Sequence, residues 1–446
     1  MTHTTVELEA SGSTAAPSRK ERRLVIASSY LGTTIEFYDF LLYATASAVV
    51  FAPVFFSGLD PWAGTIASFG TFAAGYIARP LGGVVFGHLG DRWGRKKLLV
   101  ASMMIMGLAS TAIGLVPDAS VIGPWGAVIL VCLRVLQGIA VGGEWGGAAL
   151  MALEHSDQKS RGFAASFVNA GAPSGSVLGL LVMSGFATMP QEQFLSWGWR
   201  VPFLLSFVLL LLGLFVRAKV TESPVFLEAQ QKLEEEATTG VKQSIPLFEV
   251  LRRPKTLILV ILASVSAFAL QTLLSTFAIS YSVSAGNPQP QVMLAFAGAG
   301  IISIATTLFM GRLSDRTGRR PLLIIGNALF ILVIPAVMFL VGQNNMLLVF
   351  LGFTLGIVVQ TVMYGPMAAF IAERFGTKNR YTGASMGYQI ATLIGGGFTP
   401  LVLATLYAGQ SLTPVVGYLM ALAVVSLVTV LFMAESKDRS LHAETE

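Results

Sequence analysis

Long apolar blocks alternate with short polar segments along almost the whole chain. A helix needs about 20 apolar residues to cross the hydrocarbon core of a bilayer, so each block predicts one membrane-spanning helix. The blocks predict twelve such helices, at residues 24–52, 61–86, 98–117, 126–150, 162–188, 198–217, 256–284, 290–311, 321–342, 346–371, 381–408 and 413–434. The pattern therefore indicates an all-α integral membrane protein.

The composition excludes most other classes of protein. Hydrophobic residues make up 54% of the 446 residues and charged residues 12%, whereas soluble proteins carry about 25% charged residues. A soluble enzyme, a secreted domain and a disordered scaffold are thereby excluded. The single cysteine, Cys132, lies inside an apolar block and gives neither a disulfide framework nor a thiolate metal cluster. We expect no metal and no cofactor, and the net charge of +5 does not indicate nucleic-acid binding.

The basic residues predict the topology. All but three of the 29 Lys and Arg residues lie in the two tails or in alternate connections, which the positive-inside rule places in the cytoplasm. The exceptions, Arg79, Arg134 and Arg200, lie within or at the edge of predicted helices. The polar first 23 residues contain no short apolar core with a cleavage site, so we expect no signal peptide. The sequence thus predicts a multi-pass protein of the inner (plasma) membrane with both termini in the cytoplasm.

An internal repeat divides the chain into two halves. Gly87–Lys97 reads GHLGDRWGRKK and Gly311–Pro321 reads GRLSDRTGRRP, each between the second and third predicted helices of its half. Parallel repeats of six helices are typical of secondary transporters that bind substrate near the bilayer midplane. We expect a cytoplasmic N-terminal tail, a six-helix bundle, a cytoplasmic linker, a second six-helix bundle and a cytoplasmic C-terminal tail at 1–23, 24–217, 218–255, 256–434 and 435–446.

Several motifs resemble those of a known family. The two GxLxDRxGR segments and RVLQG at Arg134–Gly138 resemble the signature motifs of the major facilitator superfamily. EFYDF at Glu36–Phe40, WGWRVPF at Trp197–Phe203 and RYTGASMGYQ at Arg380–Gln389 resemble its metabolite:proton symporter branch. Within that branch, GGEWGGAAL, FLSWGWR and GGGFTP are most similar to the shikimate permeases. The resemblance implies a major facilitator fold, with twelve helices in two pseudo-symmetric six-helix bundles.

The repeated motif carries an acid and a base four residues apart. We expect Asp91 and Arg95, like Asp315 and Arg319, to lie in a tight Gly-rich loop, where the carboxylate can pair with the arginine or cap a helix N-terminus. The resemblance implies that this loop is a cytoplasmic latch that favours the outward-facing state. The alternative is a basic anchor that only sets the orientation in the membrane.

Five ionisable residues lie inside predicted helices of the first half, where such residues are costly and indicate function. All four His lie in predicted tails or loops, so a transported proton must be carried by a carboxylate. A rise of about 1.5 Å per residue places Glu36, Asp39 and Arg134 at mid-depth, and Arg79 and Glu144 closer to the cytoplasm. We expect Arg134 to pair with Glu36 or Asp39, and Arg79 to pair with Glu144.

Three carboxylates for two guanidiniums leave one acid without a partner, and such an acid can be neutralised by a proton. We assign proton coupling to Asp39, with Glu36 as the alternative, and count Glu144 with the gating residues. Arg134 is the candidate ligand of a substrate carboxylate because its guanidinium can bind bidentately. Alternatively it only tunes Asp39 and Arg79 holds the anion, or all five charges form ion pairs that hold the bundle together.

Neutral polar side chains are expected to complete the substrate site. Amide and phenol groups suit the hydroxyls and ring face of a small polyol acid, although each can instead make an interhelical hydrogen bond. The candidates are Tyr43 and Gln137 in the first half, and Gln271, Gln360, Tyr364, Tyr388 and Gln389 in the second.

The sequence predicts a proton-coupled symporter that imports a small organic acid by alternating access. The resemblance favours shikimate or a related hydroxylated monocarboxylate; citrate, 2-oxoglutarate, an aromatic acid, or an osmolyte such as proline or betaine are the alternatives. We expect a monomer whose partners are the organic anion, the proton and the lipid bilayer, with no nucleic acid. An enzyme is not expected, since no metal or nucleophile constellation and no phosphate-binding loop for ATP is present.

Overall fold

The computed structural model describes residues 19–222, 246–252, 254–407 and 410–438, and it is helical throughout these ranges apart from short connections. This confirms the predicted all-α fold class. Residues 1–18, 223–245 and 439–446 of the predicted tails and linker lie outside the described residues, and the division into two bundles stays a prediction. The described long helices are α1 Arg19–Val49, α2 Pro61–Trp93, α3 Arg95–Leu115, α4 Trp125–Glu154, α5 Arg161–Ala187, α6 Arg200–Ala218, α7 Pro254–Ser284, α8 Gln289–Thr317, α9 Arg319–Val341, α10 Met346–Ala372, α11 Arg380–Tyr407 and α12 Leu412–Phe432.

Within the described ranges, ten of these helices are both long and apolar enough to cross a membrane. The other two, α1 and α2, have 31 and 33 residues and are therefore long enough. Their mean hydropathy is lowered by Glu36 and Asp39 in α1 and by Arg79 in α2. All three side chains are buried in the protein rather than exposed to lipid, as expected for charged groups at membrane depth.

The repeated motifs are more helical than the predicted tight loops. α2 continues through His88 and Asp91, and α8 continues through Asp315, so each motif is interrupted at one glycine only. Gly94 and Gly318 both have a φ of 100°, a conformation that glycine adopts without steric cost, and the next helix begins directly afterwards. The hydropathy pattern marks only the apolar part of a helix, and for this reason the polar ends were predicted as loops.

Glycines let α2 and α4 pack with their backbones in contact. A Cβ atom on Gly82 would collide with the carbonyl oxygen of Ile139, and one on Gly142 with that of Arg79. Small residues are typical of such close contacts in membrane proteins. α1 packs along α5 and α8 along α10, while the α5–α8 and α2–α11 contacts join the first six helices to the last six.

The ends of α6 and α12 repeat one contact. Glu222, after α6, accepts a hydrogen bond from the backbone N–H of Lys96 at the start of α3 (3.1 Å). Glu435, after α12, accepts from the backbone N–H groups of Arg319 and Arg320 at the start of α9 (3.0 Å each). Burial alone would raise the pKa of Glu435, but these backbone donors and those that follow Glu435 hold its pKa below the usual value. The internal repeat therefore extends beyond the two sequence motifs.

Candidate functional site

A cavity lies between α1, α2, α3 and α4. Five predicted site residues line it together, four of them charged and one an amide. This central cavity is the candidate substrate site, since it is concave and its polar groups converge. Its lining is formed by Glu36, Asp39, Phe40, Gly75, Arg79, Met106, Arg134, Gln137, Gly138 and Val141.

Asp39 is held by hydroxyl groups. The Ser206 hydroxyl donates to its Oδ1 (2.5 Å), and the Ser110 hydroxyl also lies at the carboxylate. Its Oδ2 and the Oε2 of Glu36 are buried without a hydrogen-bond partner among the described residues. In the same part of the chain neither acid makes an ion pair, so the predicted pairing with Arg134 is wrong. Arg134 Nη1 instead donates a hydrogen bond to the Gln137 side chain.

Arg134 is surrounded by aromatic rings. Its guanidinium carbon lies 4.1 Å from the ring centroid of Tyr43, 5.0 Å from that of Phe72 and 5.3 Å from that of Phe40. Cation–π contacts of this kind stabilise a guanidinium that has been removed from water. Tyr43 is itself fixed by a hydrogen bond from its hydroxyl to Thr71 (2.7 Å), so it acts here as a support for Arg134.

A chain of polar contacts connects Arg134 to Asp39. Arg134 Nη1 donates to Gln137 Oε1 (3.2 Å), and Gln137 Nε2 donates to the Ser110 hydroxyl (2.6 Å), which lies at the Asp39 carboxylate. The Nε of Arg134 is buried without a partner among the described residues. A ligand that binds the Arg134 guanidinium can therefore alter the hydrogen bonding of the Asp39 carboxylate through Gln137 and Ser110.

Arg79 lies at the same cavity as Arg134, and the predicted separation of the two arginines into layers is wrong. Its guanidinium carbon lies 4.4 Å from the ring centroid of Tyr76 and 4.8 Å from that of Phe40. Phe40 thus contacts both arginines. The close packing of α2 on α4 brings the two arginines to one cavity. Depth calculated separately for each helix does not include this packing.

Glu144 pairs with Arg217, not with Arg79 as predicted. Arg217 Nη2 contacts Glu144 Oε1, and both side chains are almost completely buried. Arg217 also donates to the backbone carbonyl of Leu99. Arg217 is the last residue of the sixth predicted helix, where the sequence pattern predicts a cytoplasmic position. Its long side chain instead turns back into the protein, as arginines at helix ends can do.

The second half contributes no lining to the central cavity among the described residues. The hydroxyls of Tyr364 and Tyr388 lie 3.2 Å apart, and the Tyr388 ring stacks on Trp145 with centroids 3.6 Å apart. Gln389 donates to the backbone oxygen of Val141 (3.4 Å), a cavity residue. These side chains form contacts between helices. The predicted substrate residues that the structure does not bring into the lining are Tyr43 in the first half and Gln271, Gln360, Tyr364, Tyr388 and Gln389 in the second.

The loops that carry Lys and Arg, at 92–97, 159–161, 312–320 and 374–380, define one end of the bundle, which we call the basic side. There Asp91 accepts hydrogen bonds from the backbone N–H groups of Tyr381 (3.1 Å) and Thr382 (3.0 Å) and from the Thr382 hydroxyl (2.8 Å). Asp91 thus caps α11 from the opposite half of the chain.

The second motif makes the equivalent contact. Asp315 accepts hydrogen bonds from the backbone N–H groups of Gly162 and Phe163 at the start of α5 (2.8 Å each), and it pairs with Arg319 (3.0 Å). Arg319 also contacts Glu373 (3.1 Å).

In the first half, Arg95 pairs with Glu154, which also binds Arg380 at 3.1 Å. The basic side is therefore closed by reciprocal contacts between the two halves. Whether these contacts act as a latch stays a prediction.

Comparison with known proteins identifies the family. Residues 24–385 and 278–446 match the profile of the Major Facilitator Superfamily. The chain belongs to this superfamily. It is a multi-pass secondary transporter, and the resemblance inferred from the motifs is confirmed.

Major facilitator relatives match over nearly the full chain. Two proteins of Escherichia coli (strain K12), the "Inner membrane metabolite transport protein YhjE" and the "Shikimate transporter", are each 38% identical over 94% of this chain and 96% of their own length. The "Glycine betaine/proline/ectoine/pipecolic acid transporter OusA" of Dickeya dadantii (strain 3937) is 36% identical over 95% and 85%. The structure of the proton:xylose symporter XylE bound to 6-bromo-6-deoxy-D-glucose has a TM-score of 0.79 at 18% identity, covering 95% of this chain and 98% of that one.

Sequence reasoning missed several residues of this major facilitator site. Phe40 lies within the EFYDF motif that drew attention to its acidic neighbours, so a signal for it existed. Ser110 and Ser206, which hold Asp39, are single hydroxyls in apolar helices and gave none. Arg217 and Glu154 were visible as charges at helix ends, but only the folded chain shows that they are buried and paired.

Proposed function

We propose that this transporter is a proton-coupled symporter that imports a small organic acid by alternating access. The observation that carries the proposal is the charge arrangement of the central cavity. Two guanidiniums and two carboxylates line it, and these four groups make no ion pair with one another in the part of the chain that the structure describes.

The charge balance favours joint binding of an anion and a proton. With both acids ionised, Glu36 and Asp39 neutralise Arg79 and Arg134, and an incoming anion would add an uncompensated charge to a buried site. Protonation of one acid leaves one positive charge, which a monocarboxylate compensates. Because uncompensated charge is costly at low dielectric, each ligand improves the binding of the other.

Arg134 is the proposed carboxylate ligand and Asp39 the proposed proton carrier, with Glu36 as the alternative carrier. Aromatic rings surround the Arg134 guanidinium, and its Nη1 donates to Gln137. Its Nε has no partner among the described residues, so the edge formed by Nε and Nη2 can make a bidentate contact with a carboxylate. The path through Gln137 and Ser110 connects that contact to Asp39.

Shikimate or a related hydroxylated monocarboxylate is the proposed substrate. The relative named Shikimate transporter supports this choice, as do the two guanidiniums beside the Gln137 amide. Relatives named for betaine and proline support the osmolyte alternative. A quaternary ammonium would require free aromatic faces, and those of Phe40 and Tyr43 are in contact with arginines.

Uptake into proteoliposomes tests the proposal. With an acidic exterior, radiolabelled shikimate should accumulate against its gradient, by about tenfold per pH unit if one proton accompanies each substrate. A protonophore should abolish the accumulation, and protein-free liposomes should show none. Competition by citrate, 2-oxoglutarate, benzoate, proline and betaine ranks the alternatives. Uptake that does not depend on the pH gradient, or the absence of uptake of any acid, contradicts the proposal.

We further propose that Asp91 and Asp315, with Arg95 and Arg319, form a latch on the basic side, which faces the cytoplasm together with both termini. One chain supplies the whole cavity lining and both capping contacts, so a monomer can carry out the cycle. The closed basic side corresponds to the state in which the cytoplasmic path is shut.

Replacing Asp91 by alanine should loosen this closure, because α11 loses three hydrogen bonds to the carboxylate. Loss of a helix cap costs about 0.5–2 kcal/mol, so opening should become about 2- to 30-fold more frequent. The measurement is the rate at which N-ethylmaleimide modifies a Ser385→Cys variant that also carries Cys132→Ser. Ser385 is suitable because it is buried on α11 against α4. Asp157→Ala is the control, because it removes an exposed acid that pairs with Arg22. An unchanged rate in Asp91→Ala would refute the latch.

A further inference from the structure

A second cavity lies between the ends of α1, α3, α4 and α6 on the basic side. Its polar lining consists of Ser28, Ser29, Lys96 and Arg217, and all of its lining residues belong to the first half of the chain. It is therefore separate from the α2–α11 and α5–α8 contacts, where the halves must part to release a substrate.

The Glu144–Arg217 pair lies between this second cavity and the central one. Arg217 lines the second cavity. A Cβ atom on Gly32 would collide with Arg217 Nη2 and lie 2.8 Å from Glu144 Oε1, so the pair contacts α1 at Gly32. Gly32 is one helical turn from Glu36 in one direction and from Ser28 in the other. The glycine leaves the space in which the pair sits.

Buried polar atoms without partners mark the same course along α1. In the described part of the chain they include Thr33 Oγ1, Glu36 Oε2 and Asp39 Oδ2 on α1 and Glu144 Oε2 on α4. Buried polar groups in folded proteins are hydrogen-bonded, and ordered water supplies the partner where the protein does not. Three of the four atoms are carboxylate oxygens, so water that reaches them would connect groups able to exchange a proton.

The charged and titratable groups around this course come from several helices of both halves. Glu36 is within electrostatic range of Glu144 on α4, Arg79 on α2 and Arg217 on α6. The phenols near it from the second half belong to Tyr364 and Tyr388, and Tyr381 is the phenol near Glu144 and Arg217.

We infer that Glu144 is a proton-release group that passes the symported proton from Glu36 to the second cavity. The inference rests on the proposed proton symport. The proton leaves the Asp39 carboxyl for the Glu36 carboxylate, then moves through water to a Glu144 oxygen, and finally to water in the second cavity. Each acid returns to its carboxylate form, and no other bond changes.

Arg217 positions the Glu144 carboxylate beside the second cavity. The proton thus exits through the first six helices, whereas the substrate exits between the halves. The consequence is that net transport needs Glu144, while exchange of substrate by the protonated carrier does not need it.

The test compares uphill uptake with counterflow exchange of radiolabelled shikimate in proteoliposomes that contain pyranine as an internal pH indicator. In Glu144→Gln, exchange should persist, while uphill uptake and internal acidification should slow by about 10²-fold, the contribution of a positioned proton-transfer group. Asp157→Asn is the matched control, because it makes the same kind of change at an exposed acid that pairs with Arg22. It should retain both activities.

The double variant Glu144→Gln/Arg217→Gln separates proton release from a purely structural role of the pair. It leaves no unpaired buried charge, so a structural role predicts recovery of uphill uptake, whereas proton release predicts exchange alone. Wild-type uphill rates in either variant, or loss of exchange in both, would overturn the inference. If the wild type itself accumulates substrate independently of pH, then the proposed symport fails and not the release group alone.

Discussion

Asp39→Asn is expected to abolish uphill transport and to leave counterflow exchange. The amide keeps the size and one acceptor oxygen for the Ser206 hydroxyl, so the side chain can remain in place. It cannot bind or release a proton, and the coupling between the pH gradient and the substrate is lost. The accumulation ratio at a pH gradient of one unit should therefore fall from about tenfold to about one.

The expected pH response follows from the charge of the central cavity. In the wild type, substrate binding should weaken as the pH rises, because Asp39 must be protonated for the anion to bind. In Asp39→Asn the neutral state is permanent, so binding should lose most of this pH dependence and remain as tight as in the acidic wild type. Tryptophan fluorescence titrated with shikimate between pH 5 and pH 9 measures both trends.

Asp118→Asn provides a control with the same chemical change at a partly exposed acid, which pairs with Arg200. It should behave as the wild type in both assays. Glu36→Gln tests the alternative carrier on the next turn of α1. If Asp39→Asn still accumulates substrate while Glu36→Gln has pH-independent binding, then the proton is carried by Glu36 and the assignment to Asp39 is wrong.

The sequence predicted the fold class and the first-half site because both depend on strong local signals. Apolar blocks of helical length have few alternatives in a bilayer, and charges inside such blocks are rare enough to identify a site. Glu36, Asp39, Arg79, Arg134 and Gln137 were all predicted, and they line one cavity.

The pairings could not be predicted in the same way, because they depend on helix packing. The contact of Arg217 with Glu144 requires α6 to pass beside α4 with a glycine opposite. The second-half amides and phenols were selected by depth alone, and depth does not fix which side of a helix faces a cavity. Tyr388 accordingly stacks on Trp145 and does not line the site.

Arg134→Lys is expected to raise the apparent KM for shikimate steeply while the proton still drives uptake. A lysine keeps the positive charge but lacks the planar fork of the guanidinium, so it loses the bidentate contact with a carboxylate and the stacking on Tyr43 and Phe72. Hydrogen bonds to charged groups contribute about 1.5–3 kcal/mol, which corresponds to a KM about 10- to 150-fold higher. Initial uptake rates over a range of shikimate concentrations measure the change.

Arg79→Lys is the matched variant, because this arginine lines the same cavity and also contacts Phe40. If Arg134 is the carboxylate ligand, Arg79→Lys should change KM far less, since its charge balances the site without a bidentate contact. A normal KM in Arg134→Lys with a raised KM in Arg79→Lys would move the anion site to Arg79. In both variants the accumulation ratio at saturating substrate should stay close to the wild-type value, because the number of charges around Asp39 is unchanged and the proton is still required to balance them.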